Sequence, residues 1–271
     1  MKDLGDLVVL LKPALNPEMI RGTPDGLVDF DYMPLKLSDI DRNAVEEAVR
    51  LRDTYFKGSK IYSISVATWG PVGKRDKDIK MAIQEGLAKG VDEAYIVEDD
   101  SITPGDPVAT ASAIAAVIRR FGLEPDLVLS GEATIDGFSG QVAGRVAAKL
   151  GYPYVSFARK IDVKEGRLIA ERDVEDYVEV VESPLPAVVS VTREINAPRP
   201  PTLIQIRMAS RKPQHVLTLK ELEGVTPARK RLTEARVLAV KRKQAIIEGK
   251  TAEETADKLI DALVSEGVIK E

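Results

Sequence analysis

The sequence predicts an α/β fold: a parallel sheet flanked by helices, with an antiparallel extension and a C-terminal helical arm. Three observations carry that expectation. Short apolar runs alternate with amphipathic stretches through the first 151 residues, as βα repeats of a parallel sheet require. After Gly151 the pattern changes to period-two alternation with a Glu165-Gly166 turn, which reads as antiparallel strands ending in the apolar run AVVSV. The last 40 or so residues are charged and helix-forming, and end in the amphipathic stretch TAEETADKLIDALVSEGV.

The elements follow in order. LVVLLK (Leu7–Lys12) reads as a buried strand. Pro24-Asp25-Gly26 is a turn signal, and the residues around it suggest a hairpin or edge excursion. In LSDIDRNAVEEAVRLRD, Ser38 stands as N-cap, and Asp39 and Asp41 sit at the positive helix end. Ala44, Val45, Ala48, Val49 and Leu51 supply the apolar stripe. KIYSISVATWG is a second strand. KRDKDIKMAIQEGLAKG is a helix closed by Gly90. EAYIVED is a third strand. GDPVATASAIAAVIRRFG is a helix with Asp106 as N-cap and Pro107 at its first position. DLVLSG is a fourth strand. The tail adds a basic helix, LTEARVLAVKRKQAIIEG, and a last helix starting at Thr251. The expected organisation is 1–192 as the α/β domain with its antiparallel strands, 193–232 as a docking loop and linker, and 233–271 as the helical arm.

Composition narrows the chemistry. The chain of 271 residues has no cysteine and a single histidine. Disulfides, thiolate ligands and a cysteine nucleophile are excluded, and no metal site is expected. His215 lies in a basic, Pro-containing stretch, RKPQHVL, and reads as a surface or loop residue. The net charge of −4 gives no basic footprint, so no nucleic-acid partner is expected. No apolar run approaches the ~20 residues of a membrane span. The N-terminal apolar segment reads as a strand, not a signal peptide, and the chain is expected to be cytoplasmic, or membrane-associated through partner subunits.

In parallel sheets ligands bind beyond the carboxyl ends of the strands. Those ends are Lys12-Pro13, Trp69-Gly70-Pro71, the loop from Asp99 to Asp106, and Gly131 to Gln141. The last, in DLVLSGEATIDGFSGQVAGRVAAKLG, is the most specialised. Gly131, Gly137 and Gly140 admit close approach to the backbone. Helix-terminal amides near Ser139, Gly140 and Gln141 have no internal partner and suit a phosphate. Asp136 can accept from ribose hydroxyls or anchor the loop. Alternatively, Gly140, Ala143, Gly144, Ala147 and Ala148 only let a helix lie tight, with Asp136 and Ser139 as caps. Neither a GxGxxG nor a Walker lysine motif is present.

Nearly end to end, the residues resemble the beta subunit of electron transfer flavoprotein. VVLLKP, NAVEEAVRLRD, Trp69-Gly70-Pro71, IQEGLAKGVDEAYIVED, DLVLSGEATIDG and LPAVVSVTREINAPRPPTL occur in the family's order and spacing. The resemblance implies an adenine-nucleotide-binding, Rossmann-like domain that pairs with an alpha subunit carrying FAD. The beta subunit of this family binds either structural AMP or a second FAD that bifurcates electrons from NADH. Asp136-Gly137-Phe138-Ser139-Gly140-Gln141-Val142 resembles the bifurcating loop, as does Asp106-Pro107-Val108-Ala109-Thr110 at the preceding helix start. Glu132-Ala133 departs from it, since those relatives carry Arg-Gln there. Ser38-Asp39 replaces the family's Asn-Pro.

By the same resemblance, Leu10, Ser38, Asp39, Asp41, Trp69, Gly131, Thr134, Asp136, Gly137, Ser139, Gly140, Gln141 and Val142 are candidate nucleotide contacts. Asp106 and Thr110 join them if the ligand is FAD. Leu203, with Arg199, is the expected docking anchor for a dehydrogenase or quinone-reducing partner. No side chain stands out as a catalytic acid or base. Oxidoreductase activity with NADH is expected only in the complex. A free-standing ATP-binding domain is the rival reading, but it leaves the antiparallel half and the Pro-Arg segment without a role.

Overall fold

A computed structural model describes residues 4–238 and 243–270. They fall into two compact units, Met1–Arg236 and Val237–Glu271. The first unit is built on β1 (Leu7–Leu11), whose five residues are all buried. Leu7, Val9 and Leu11 point to one side of the sheet, and Val8 and Leu10 to the other, as strand geometry requires. A strand buried on both faces belongs in the middle of a parallel sheet.

The chain continues through β2 (Pro13–Leu15) and β3 (Leu35–Leu37), which form a small antiparallel pair. The turn at Pro24-Asp25-Gly26 makes no hairpin of regular strands. It is an edge excursion fixed by isolated bridges, Gly22 to Val28 and Leu27 to Arg236. Then come α1 (Asp39–Thr54), β4 (Ile61–Ala67), α2 (Val72–Lys89), β5 (Glu93–Glu98), α3 (Pro107–Arg120), β6 (Leu127–Gly131) and α4 (Val142–Leu150). α1 and α2 pack on the face of Leu7, Val9 and Leu11. α3 and α4 pack on the face of Val8 and Leu10. Gly90 closes α2 at φ 136°, and a Cβ there would meet Val49 Cγ2 at 2.5 Å, so both backbone and packing demand glycine.

Antiparallel strands β7 (Tyr154–Lys164), β8 (Arg167–Val174) and β9 (Tyr177–Pro184) follow. The apolar run expected to end that antiparallel series behaves differently. As β10 (Ala187–Val191) it returns between β6 and β7, parallel to both. All five of its residues are buried, a burial that only an interior position provides.

The Pro- and Arg-rich segment expected as a loop contains α5 (Leu203–Ala209) and β11 (Gln214–Leu217). α5 starts on a capping box, with Thr202 and Gln205 bonding each other's backbone amides. β11 extends the sheet beside β5 in parallel and carries His215 in a strand rather than a loop. There His215 stacks on Tyr95 and bonds Glu93 at 2.8 Å. The strand order is β11-β5-β4-β1-β6-β10-β7-β8-β9.

The basic helix expected over 232–249 does not appear among the described residues. Residues 232–238 and 243–249 are not helical, and 239–242 lie outside the described residues. α6 (Ala252–Ser265) is the helix of the second unit, capped by Thr251.

The placement of β10 makes a prediction about stability. Val189, fully buried in β10, should cost about 2 kcal/mol on substitution by Ala. Val180 in edge strand β9 is 67% exposed and should cost under ~0.5 kcal/mol. Urea unfolding measures both, and equal costs would contradict the assigned strand order.

Candidate functional site

From β1 the chain proceeds through α1 to β4 on one side; from β6 it proceeds to strands on the other. The carboxyl ends of β1 and β6 therefore bound a crevice at a topological switch point, where α/β sheets hold ligands. A cleft opens there. Its floor is Gly131 to Thr134, Gly137 and Ser139 to Ala143. Its walls are Leu10, Leu11, Lys12 and Asp41 on one side, and Ile64, Val66, Thr68, Asp106, Thr110 and Ile114 on the other.

The loop after β6 is shaped by Asp136. Its carboxylate is buried, with 2% of the side chain exposed, and ion-pairs with Lys12 Nζ at 2.8 Å. It also accepts from Trp69 Nε1 at 2.6 Å, Thr134 Oγ1 at 2.8 Å and the Leu15 amide at 3.3 Å. Four donors occupy the acceptor sites of one carboxylate. Burial pushes its pKa up, but the Lys12 charge and these hydrogen bonds outweigh that and hold it below the ordinary range. Of the two roles open to it from sequence, the geometry gives it the anchoring one.

Beyond the anchor, the backbone turns into α4. The N-cap residue Gln141 makes no side-chain capping bond; its Oε1 instead accepts from Arg145. The helices α3, α5 and α6 are capped by Asp106, Thr202 and Thr251. The amides opening α4 thus remain available, in a cleft, with the macrodipole behind them. Gly140 there has φ 62°, a left-handed conformation that suits glycine.

Gly131 faces the start of α1 so closely that a Cβ would meet Asp41 Oδ1 at 2.8 Å and Ile40 at 3.0 Å. Asp41 Oδ2 accepts from the Lys12 amide at 2.8 Å. Its carboxyl is almost fully buried, and burial lifts its pKa to about 7 against the opposing pull of the Lys12 and Gly131 amides and the Lys12 charge. Glu132 is also raised, first by burial and then by repulsion from Glu194.

Of the residues expected to contact nucleotide, Leu10, Asp41, Asp106, Thr110, Gly131, Thr134, Gly137, Ser139, Gly140, Gln141 and Val142 line this one cleft. Trp69 and Asp136 hold its loop. Asp39 pairs with Arg42 and Lys36 away from it. Ser38 occupies the N-cap position of α1, but its buried hydroxyl makes no capping bond. Asp106 is occupied by the Val108, Ala109, Arg229 and Lys230 amides, so it caps α3 and clips the following segment to it. Thr110 donates to the Asp106 carbonyl. Lys12, expected at a ligand-binding strand end, also lines it, as do Ile64, Val66, Thr68 and Ile114, which the sequence did not single out. Lys12 had a visible signal: a lone charge directly after an apolar strand.

A family model described as electron transfer flavoprotein domain matches residues 28–222. The electron transfer flavoprotein subunit beta of Thermoanaerobacterium thermosaccharolyticum is 33% identical over 80% of each chain. The chain belongs to the electron transfer flavoprotein beta-subunit family. The subunit beta of Mycobacterium tuberculosis is 32% identical over 81% of each chain. That of Clostridium acetobutylicum is 34% identical over 72% of this chain and 71% of its own. In this member, Leu203 is the first residue of α5 and 79% exposed, beside exposed Ile204, Ile206 and Met208. Arg199 bonds Glu46 at 2.5 Å. No helix among the described residues is long and apolar enough to cross a membrane.

Asp41 supplies a signed pH prediction for the nucleotide-free chain. A carboxyl with a raised folded pKa favours folding fully below its unfolded pKa of about 4. That contribution is lost as pH rises through about 7. Asp41→Asn keeps the acceptor for the Lys12 amide and removes the titration. The variant should gain on the parent between pH 4 and pH 8, by on the order of 2–4 kcal/mol at the upper end. Parallel stability profiles in urea would show that Asp41 is ionised throughout.

Proposed function

We propose that this chain is the beta subunit of an electron-transferring heterodimer, and that its switch-point cleft binds FAD. The observation that carries this is the uncapped start of α4 lying in a cleft whose loop is locked by Asp136. The α4 amides would hold phosphate oxygens. Leu10, Ile64, Val66 and Ile114 would seat a flat ring, and Thr134 and Ser139 would stand along the sugar-phosphate chain. The loop sequence Asp136 to Val142 supports FAD over AMP. When bound, the flavin would take hydride from NADH and pass electrons to the alpha subunit's FAD and to a lower-potential acceptor.

The chain's own residues do the rest. Lys12 offsets negative charge at the floor. With its pKa lifted to about 7 by burial, Asp41 presents an incoming phosphate with less negative charge than an ordinary carboxylate would. Trp69 and Thr134 fix the loop before the ligand arrives, so ordering is not charged against binding. α5 presents Leu203 as an apolar anchor for a dehydrogenase or quinone-reducing partner, with Arg199 at its approach. A second reading, structural AMP in the same cleft, is favoured by Glu132. This residue lines the cleft, and it stands where the bifurcating relatives carry a basic residue. In that case the chain is a nucleotide-braced docking module.

Coexpression with the alpha partner, followed by nucleotide extraction, separates these. Two FAD and no AMP per heterodimer is the expected result. One FAD and one AMP would leave the docking module, and no nucleotide beyond the alpha subunit's FAD would overturn both.

A further inference from the structure

The side of β4 that faces the cleft presents Ile64 and Val66, and Thr68 continues that row immediately beyond the strand. Ile64 and Val66 are 1% and 4% exposed, and Thr68 is 5% exposed. Packing alone would favour a third aliphatic residue. Val has nearly the shape of Thr, and a buried hydroxyl without a partner costs free energy. Yet Thr68 Oγ1 finds no hydrogen-bond partner among the described residues.

Other buried hydroxyls are also unpartnered, those of Ser38, Ser63, Ser65 and Thr192. None of them lines the cleft, and Ser63 and Ser65 point to the opposite face of β4 from Ile64 and Val66. Thr68 therefore differs in belonging to the lining of the cleft. Its neighbours there are apolar, and the α4 amides lie on the other part of the lining. The other threonine hydroxyl of that wall, Thr110, is already engaged, donating to the Asp106 carbonyl at 2.9 Å.

We propose that Thr68 is a specificity-determining ligand contact, its hydroxyl bonding an edge nitrogen of the heteroaromatic ring seated against Leu10, Ile64, Val66 and Ile114. This rests on the nucleotide reading of the cleft. The hydroxyl is unsatisfied in the free chain and satisfied on binding, so stability and affinity should move in opposite directions when it is removed.

The test uses the nucleotide-free full chain, its sole tryptophan, Trp69, as a fluorescence reporter beside the loop, and AMP and FAD as probes. Thr68→Val should weaken AMP binding roughly 3–10-fold. Its thermal midpoint should equal or exceed the parent's. Thr68→Ser keeps the hydroxyl and should bind near the parental affinity. Parental affinity in Thr68→Val overturns the assignment while leaving the nucleotide site standing. So does a lowered midpoint in Thr68→Val, which would make the hydroxyl structural, or an equal loss in Thr68→Ser, which would implicate the methyl group. A parent that binds neither AMP nor FAD overturns this inference together with the nucleotide reading.

Discussion

A carboxylate with almost no access to solvent, Asp136, ties the carboxyl edge of the sheet together. Lys12 reaches it from the end of β1, Trp69 from the end of β4, and Thr134 from its own loop. Removing one partner of such a buried pair costs several kcal/mol, because the other charge is left uncompensated. The network therefore determines loop geometry more than it adds net stability. It brings three chain segments, separated by as many as 124 residues, to one point. Gly131 completes the arrangement by letting α1 pass over the end of β6 without a side chain between them.

Around that point the polar groups divide into two kinds. Asp136 and Asp106 are saturated by the protein's own donors and act as fasteners. The α4 amides and the Thr68 hydroxyl are left open. Asp41 is intermediate, buried and accepting a backbone bond, with a pKa that burial lifts to about 7. A chain selected only for stability would cap α4 and replace Thr68 by Val. Unsatisfied polar groups gathered along one cleft suit it to a polar ligand.

Much of this was legible in the sequence. The βα repeats, the Asp106-Pro107 helix start and the Gly90 closure are local signals, and each appears where its residue chemistry places it. The glycine-rich loop after β6 was visible as the place to look. What escaped depended on long-range pairing. AVVSV reads the same at the end of a meander as in the middle of a sheet; only its partners, β6 and β7, decide. α5 was hidden by the prolines that precede it, and β11 by its polar alternation at a sheet edge. Whether Asp136 bonds ligand or protein could not be read from one loop, since its main partner lies in β1's carboxyl end. Thr68 lacked any motif, and its role follows from what fails to face it.

The central claim is that the amides opening α4 hold the phosphate of a bound nucleotide. Hydrogen exchange measured by mass spectrometry, with and without AMP, addresses it directly. Unbonded amides at a helix start exchange fast, and a bound phosphate oxygen should slow them. Exchange slowed about tenfold or more, confined to peptides covering 137–144, is the expected result. Protection elsewhere, or none despite binding, would contradict it.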